Sequence, residues 1–521
     1  MNSQNIPFSV PDAVTNARNA KSPFVAAPHS PLPPTGSGED KTSQAYFWRD
    51  RFFEGALILS MALYYIIGNT HLTIVGLSQL NALVPASLLP LISLPFLLIF
   101  ALLCWYRLNF AIALLPLSLP YYLLQKNVIG RAEFSLAEIT LGVCCAIAVL
   151  RLALLFFTKQ SRPFWSQLRD GLGPFVLPIL VFALVAAISI IPAYSRANAL
   201  RAFREEVFDP LLYVGLALLF LRSRQDVTRL LGSLLGTGLI IALLGMAQYF
   251  FFKNTLALED GIRRVHTVYG SANSIGLLFD YVLPIGLAML LGRVALSQRF
   301  LALLLCVPML LVLYLTQSLG AWLAISVATL FVIAMSIRNR KILLAGGLLC
   351  LVLVIVGVFI FRSSILGHLF EWHTNQHGVS TVTKRLYLWQ SALNMIHDSP
   401  WLGYGMDNWL CHYSLNLDCH TTIYHYWLVK DPITHLPTGL HDEPNLSHPH
   451  NIFLHVWVSM GVFGLLAFIS VLLLFYWLFG RVLSRLNSTV APVNEQLRWM
   501  AVGVGGRCWR PCSRVRLIAR F

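Results

Sequence analysis

The sequence predicts an all-α, polytopic membrane protein of about 12 transmembrane helices with one large extracytoplasmic loop, on three observations. Charged residues make up 12% of the chain and hydrophobic residues 57%, with a mean hydropathy of +0.67. A soluble domain carries about 25% charged residues, so this balance belongs to a chain that meets lipid. Apolar runs near 20 residues recur, each able to cross a hydrocarbon core of about 30 Å. The basic residues then fall in short loops that alternate with those runs in one consistent sense.

Residues 1–50 are polar and proline-rich, as in Ser30-Pro31-Leu32-Pro33-Pro34, and predict a disordered cytoplasmic tail with no cleavable signal. A transmembrane bundle is expected over 51–361. Its spans fall near 52–69, 86–106, 108–125, 136–157, 173–193, 207–222, 227–252, 272–292, 299–317, 319–336 and 341–361. The third and sixth are short enough to be re-entrant or interfacial. The last span is expected over 450–480, followed by a basic tail over 481–521.

Orientation follows from basic clusters at Arg151 to Arg169, Arg222 to Arg229, Arg293 and Arg299, Arg338 to Lys341, and Arg481 and Arg485. Strict alternation puts all of them on one side, which the positive-inside rule makes cytoplasmic. The formal charge of +15 is therefore a topology signal, and nucleic acid is excluded as a partner.

Three segments fall on the opposite face. Around 194–206, Ala197, Leu200, Phe203 and Val207 recur at helical spacing, as in a surface helix. The second segment, 253–271, holds Arg263, Arg264 and His266. The third, 362–449, is too long for a connector and carries most of the chain's 15 histidines. Within it, Leu386, Trp389, Leu393 and Ile396 share a helical face, Asp398-Ser399-Pro400 ends that helix, and Gly403-Tyr404-Gly405 makes a turn. Cys411 and Cys419 are the two cysteines of this loop and would pair as a disulfide in an oxidising compartment. The other cysteines lie in apolar runs or in the C-terminal tail.

Chemistry is sought where charge meets an apolar run. His448-Pro449-His450-Asn451 opens the last span, ahead of Gly461 and Gly464, whose small side chains permit close helix contact. His450 reads either as a general base at the membrane surface or as a residue capping a transmembrane helix. Arg263-Arg264 precede Ser271-Ala272-Asn273; arginine here reads as a phosphate clamp or as an interfacial snorkelling residue, and Arg385 has the same two readings. No HExxH, paired CxxC, Walker loop or dinucleotide fingerprint occurs, so neither a metal nor a cofactor is expected.

Four stretches together resemble the O-antigen ligase and polymerase superfamily: Arg264 through Gly276, Leu315 through Ala321, Arg385 through Gly405, and His450-Asn451 with Gly461 and Gly464. The likeness spans about 136–480. It implies an all-helical fold related to C-type glycosyltransferases. The implied reaction moves a glycan from an undecaprenyl-pyrophosphate carrier, on the outer face of the bacterial inner membrane, without metal or nucleotide. Ligases of this kind pass the glycan to a lipid A core sugar, polymerases pass it to another carrier-linked repeat, and some relatives glycosylate protein. By that resemblance Arg264 and Arg385 hold the pyrophosphate and His450 is the base, with a rate that rises with pH through about 6–7. Arg263, Asn273, Trp389 and Asn451 would contact substrate, and Gly403, Gly405, Gly461 and Gly464 form the structural motif. A lipid-linked oligosaccharide transporter is the rival from another class; it would favour internal repeats and broken mid-membrane helices, which the sequence does not clearly display.

Two features depart from the resemblance. Leu319 stands where the family often has arginine. The segment from Gly505 to the basic Arg514, Arg516 and Arg520 replaces the further membrane helices of relatives, as a truncated or frameshifted gene would. The other reading is a basic tail beside anionic lipid.

Overall fold

The computed structural model describes residues 39–67, 69, 89–121, 125–129, 132–157, 164–259, 262–269, 271–292, 294–336, 341, 381–414, 419, 422–424, 448–488 and 499–504. They form a helical bundle that is apolar outside as well as inside. Leu98, Leu184, Leu304, Leu323 and Leu473 stand outward on successive helices. Such a surface is stable in lipid and not in water, and helices satisfy their own backbone there.

Helix α1 (Glu39–Ile66) packs on α2 (Leu89–Tyr106). A bend of 118° then separates α2 from α3 (Leu108–Leu114) and the 3₁₀ turn Leu115–Tyr121. A short hairpin, β1 (Lys126–Ile129) with β2 (Ala132–Phe134), leads to α4 (Leu136–Phe157), α5 (Phe164–Leu172) and α6 (Val176–Ile188). Helix α7 (Arg196–Phe203) runs through a π turn at Arg204–Phe208 into α8 (Asp209–Phe220). Ser223 and Asp226 form a capping box that starts α9 (Arg224–Phe251). A second hairpin, β3 (Ala257–Glu259) with β4 (Ile262–Arg264), precedes α10 (Ala272–Leu291), α11 (Leu296–Thr316) and α12 (Leu319–Ser336). The rest is α13 (Thr381–Asp398), α14 (Trp409–Tyr413) and α15 (Ile452–Ser488).

Helices α1 to α4 share one core with α8, and α9 to α12 share another with α15. In the second, small residues bring backbones close: a Cβ on Gly245 would stand 2.7 Å from Val312, and one on Gly276 2.5 Å from Ala321.

Six helices are long and apolar enough to cross a membrane: Leu136–Leu154, Leu168–Ile188, Arg224–Phe251, Ala272–Leu291, Leu296–Thr316 and Ile452–Ser484. The bent pair Leu91–Tyr106 and Leu108–Tyr121 adds a seventh if it counts as one span. The expected dozen is thus not reached among the described residues, and the parity that rested on it is left open. The expected third span is the folded-back arm of the bent pair. Helix α8 has 12 residues, about 18 Å of rise, too short to cross alone. The expected span 341–361 lies outside the described residues, as does most of 362–449.

Two expected tails contain structure. Helix α1 starts at Glu39, inside the stretch expected as disordered. Residues 499–504 are helical and buried in the second core, with Trp499 against Gly292 of α10.

The last helix is broken, which corrects both the expected packing role of Gly461 and the expectation of unbroken spans. Gly461 has φ 68° and ψ −174°, a conformation open to glycine. The break frees the carbonyls of Val458 and Ser459, and they accept from the N–H groups of Tyr404 and Gly405 at 2.8 and 3.0 Å. Val462 donates in turn to the Pro400 carbonyl at 2.9 Å. A Cβ on Gly461 would strike the Trp401 carbonyl, and one on Gly403 the Val458 carbonyl. The Pro400–Gly405 turn therefore plugs into the break and takes its exposed backbone groups. Gly464 follows one turn later, with the Met460 side chain over it.

Candidate active site

The site is built around the junction of α11 and α12. Helix α11 ends on Gln317 in a left-handed conformation (φ 49°, ψ 31°), and α12 restarts with Trp322 donating to the Ser318 carbonyl at 3.1 Å. Strand β4 runs beside this junction, so that Arg264 Nη2 donates to the Gln317 carbonyl at 3.0 Å. Gln248 of α9 fixes the following loop: its Oε1 accepts from the N–H groups of His266 and Thr267 at 3.1 and 2.9 Å. The His266 ring bridges the carbonyls of Tyr269 and Thr255, both at 2.7 Å. Ser271 then caps α10, and Asn273 Oδ1 accepts from Ser318 Oγ at 2.8 Å. Arg264 and Asn273 thus flank the start of α12, where N–H groups not yet used by the helix favour an anion.

Arg385 reaches the same junction from α13. Its Nη2 lies 3.8 Å from where a Cβ on Gly320 would stand. Helix α13 is seated by Leu388, Ala392, Met395 and Ile396 against Trp409, Tyr413 and Val458. The expected face of Leu386, Trp389, Leu393 and Ile396 is corrected accordingly: Leu386 and Leu393 are exposed, and Ile396 alone of the four is fully buried. The sequence holds two apolar stripes, and the one with the small Ser391 and Ala392 packs more closely on α15. Trp389, one turn past Arg385, is half-buried, and its indole N–H is buried with no hydrogen-bond partner. Of the expected surface-helix face, Phe203 and Val207 pack on the bundle, while Ala197 and Leu200 stand exposed and α7 turns Ala199 and Ala202 inward.

His450 precedes α15 with φ 51°, a left-handed conformation that histidine tolerates better than most residues. The cap of α15 is Asn451, whose Oδ1 accepts from the N–H of Phe453 at 3.0 Å and of Leu454 at 3.4 Å. Capping is therefore not the role of His450, and the side-chain oxygen of Asn451 is already engaged. The His450 ring stands 4.5 Å from that of His448. Partial enclosure, then the neighbouring His448 and the charge of Arg385, push the His450 pKa down to about 4. The imidazole is therefore neutral at pH 7. Arg264, Asn273 and Arg385 thus meet at one helix junction, and the charge of Arg385 is felt at His450. Arg263 is exposed on β4 opposite Leu258, outside these contacts.

A small cap braces α13. A disulfide joins Cys411 and Cys419 with Cα atoms 5.3 Å apart, and Tyr424 donates its N–H to the His412 carbonyl at 2.8 Å. The Tyr424 hydroxyl bonds Asp398 at the end of α13 and lies 3.3 Å from the Tyr404 hydroxyl. The His412 ring packs against Tyr404 with centroids 4.1 Å apart and planes tilted by 44°, and burial pushes its pKa down to about 4. Asn408, fully buried, ties this cap to the start of α7: its Oδ1 accepts from Ser195 N at 2.7 Å. Asn408 carried no signal in the sequence. Gln317, Ser318 and Gly320 did, as the polar interruption between two apolar runs.

Residues 304–469 match the family described as O-antigen ligase. The matched segment includes Ser318, Gly320, Arg385, His450 and Gly461; Arg264 and Asn273 lie before it. No curated protein matches the chain.

Proposed function

We propose that this chain, whose residues 304–469 match the O-antigen ligase family, transfers a glycan from an undecaprenyl-pyrophosphate carrier to an acceptor sugar hydroxyl. The reaction takes place at the outer face of the bacterial inner membrane. The observation that carries this reading is Arg385 beside Gly320, at a helix start that Arg264 and Asn273 flank, with its charge acting on a neutral His450. A pyrophosphate at that junction meets two guanidinium groups and a helix N-terminus, the donor set that suits spread oxyanion charge. The acceptor hydroxyl attacks the anomeric carbon as His450 takes its proton. The bond from that carbon to the pyrophosphate oxygen breaks, and the arginines stabilise the departing electron pair. The pyrophosphate is itself the leaving group, so the step draws on neither nucleotide nor metal.

The break at Gly461 is the feature a transporter reading would claim, since broken helices line transport sites. Its freed backbone groups are taken by Pro400, Tyr404 and Gly405 and hold the cap in place. A polymerase would use the same chemistry on a second carrier-linked repeat.

The test uses purified protein in lipid with a carrier-linked glycan. Arg264→Ala and Arg385→Ala should each weaken donor binding and transfer together, and the lysine variants should recover only part, lacking the bidentate fork. Normal donor binding in both alanine variants rejects the assignment. In cells lacking the gene, loss of polymer on the lipid core with carrier-linked polymer retained identifies a ligase; single-repeat glycans identify a polymerase.

A further inference from the structure

One ionisable group inside the bundle is not used by this chemistry. Asp280 stands on α10 two turns beyond Asn273, about 10 Å deeper along the helix axis. Its Oδ1 is buried and has no hydrogen-bond partner among the described residues. The residue as a whole is half-buried, on the more open side of α10 that also carries Asn273 and Leu277.

The charged groups of the packed helices are engaged elsewhere. On α9, Arg229 pairs with Glu54 and Asp50, and Asp226 belongs to the capping box at the far end, beside Arg224. On α11, Arg299 donates to the Gly292 carbonyl at the far end of α10, at 2.9 Å. Helix α12 carries no charged group and no titratable one, and neither does 499–504. The remaining titratable side chains are phenols and a thiol: Tyr281 on α10 itself, Tyr249 on α9, and Cys306 and Tyr314 on α11. Cys306 lies against Gly286, deeper than Asp280.

A carboxylate at membrane depth with no cation beside it is strongly disfavoured, and adding a proton removes the charge. We propose that Asp280 is a proton-binding site in the bundle wall, and that its proton and an anionic pyrophosphate at the junction above stabilise one another. The second half rests on the donor assignment made above. The physical link is charge: an ionised Asp280 about 10 Å below the pyrophosphate would repel it through a medium that screens little. Linkage then requires that bound pyrophosphate hold the proton on Asp280 as firmly as the proton favours pyrophosphate. An effect on the order of tenfold is the scale for one such charge pair at an effective dielectric near 20.

Two measurements on the full-length protein in lipid test this. The infrared difference spectrum of wild type against Asp280→Asn should contain the carbonyl band of one protonated carboxylic acid at pH 7. Carboxylate bands in its place overturn the proton site, including the case in which a sodium or potassium ion sits there. Affinity for a short-chain polyprenyl pyrophosphate is then followed from about pH 6 to 9 in both proteins. Wild type should lose affinity about tenfold more than Asp280→Asn as Asp280 ionises. Parallel profiles overturn the coupling. A probe that binds neither protein rejects the donor assignment and the coupling with it, while the infrared result still decides the proton site.

Discussion

The two ends of the bundle treat arginine in opposite ways. At the end where α9 starts, Arg229 is closed in by acids: Glu54 at 2.6 Å, Asp50 at 3.2 Å and Asp226 at 3.4 Å, with its guanidinium 3.7 Å above the Phe110 ring. Arg107 joins the same group through Asp50 at 2.9 Å. At the other end, Arg264 spends an N–H on the Gln317 carbonyl, and Arg385 lies beside a glycine and a neutral histidine. On that side Arg201 pairs with Asp407, and Arg204 with Glu138 and Glu205. A cation neutralised by the protein holds helices together. A cation left beside neutral dipoles retains the capacity to bind an anion from outside. On the proposed function the same residue type is structural at one end and, as Arg385, meets the ligand at the other, and its neighbours decide which.

The sharpest way to break that contrast is at His450. His450→Ala should slow transfer by roughly 10²–10⁴-fold, the scale of a lost general base, with donor binding and melting temperature close to wild type. The pH profile follows from the lowered pKa. The neutral ring is the active form, so activity is lost only as pH falls through its pKa, and kcat/KM should decline near about 4. That moves the rise expected near pH 6–7 from an unperturbed histidine, because enclosure, His448 and Arg385 all disfavour the charged ring. A steep limb at pH 6–7 that vanishes in a folded His450→Gln protein would show the ring to be solvated and remove this account of its environment. Near-normal transfer by a folded His450→Ala protein would reject the general-base role.

The opposite end should fail in the opposite way. Arg229→Ala removes the cation that Glu54, Asp50 and Asp226 share and leaves Arg51 on Glu54 and Arg107 on Asp50, so it should cost about 3 kcal/mol, the low end for breaking a buried ion pair. Denaturation in detergent should register that loss, whereas transfer per folded molecule stays near wild type. Transfer lost with stability intact would mean that the closed network also has a catalytic part.

How far each end was legible in the sequence follows from what carries the information. Hydropathy reported the helices of the second core well, because α9, α10 and α11 are long apolar runs ended by polar residues. At α2 and α3 it left two readings open, since the short third run could span or turn back, and the 118° bend at Arg107 is what hydropathy alone does not report. The members of the site were legible as polar residues at the ends of apolar runs. Their convergence was not, because it depends on which stripe of α13 packs inward, and Leu386–Leu393 and Leu388–Met395 have the same helical period. The Gly461 break was hidden for a related reason: spaced glycines in a span read equally well as close packing, and only the docked Pro400–Gly405 turn separates the two.

That break supplies a smaller effect. Gly461→Ala must hold a left-handed φ and meet the Trp401 carbonyl, so it should cost about 1–3 kcal/mol or more and loosen the cap. Gly480, on the same helix with nothing within 4 Å of its would-be Cβ, is the control. Gly480→Ala should be neutral or stabilising by about 0.5–1 kcal/mol. Equal stability of the two variants would return Gly461 to an ordinary packing role.

The smallest effect decides what Asn451 does beside His450. Its Oδ1 accepts from the N–H groups of Phe453 and Leu454, and loss of such a cap costs about 1 kcal/mol. Asn451→Ala should therefore lower the melting temperature slightly and reduce transfer modestly, through a frayed first turn that displaces the His450 ring. Asn451→Ser and Asn451→Asp separate this from a substrate contact, because both keep an oxygen that caps while neither keeps the amide N–H₂. If Asn451 acts only as a cap, both variants recover stability and transfer together. Aspartate should fall somewhat behind serine in transfer alone, since it sets a negative charge near the pyrophosphate. Recovery of stability by serine without recovery of transfer would place the amide on the substrate, with the cap as its second duty.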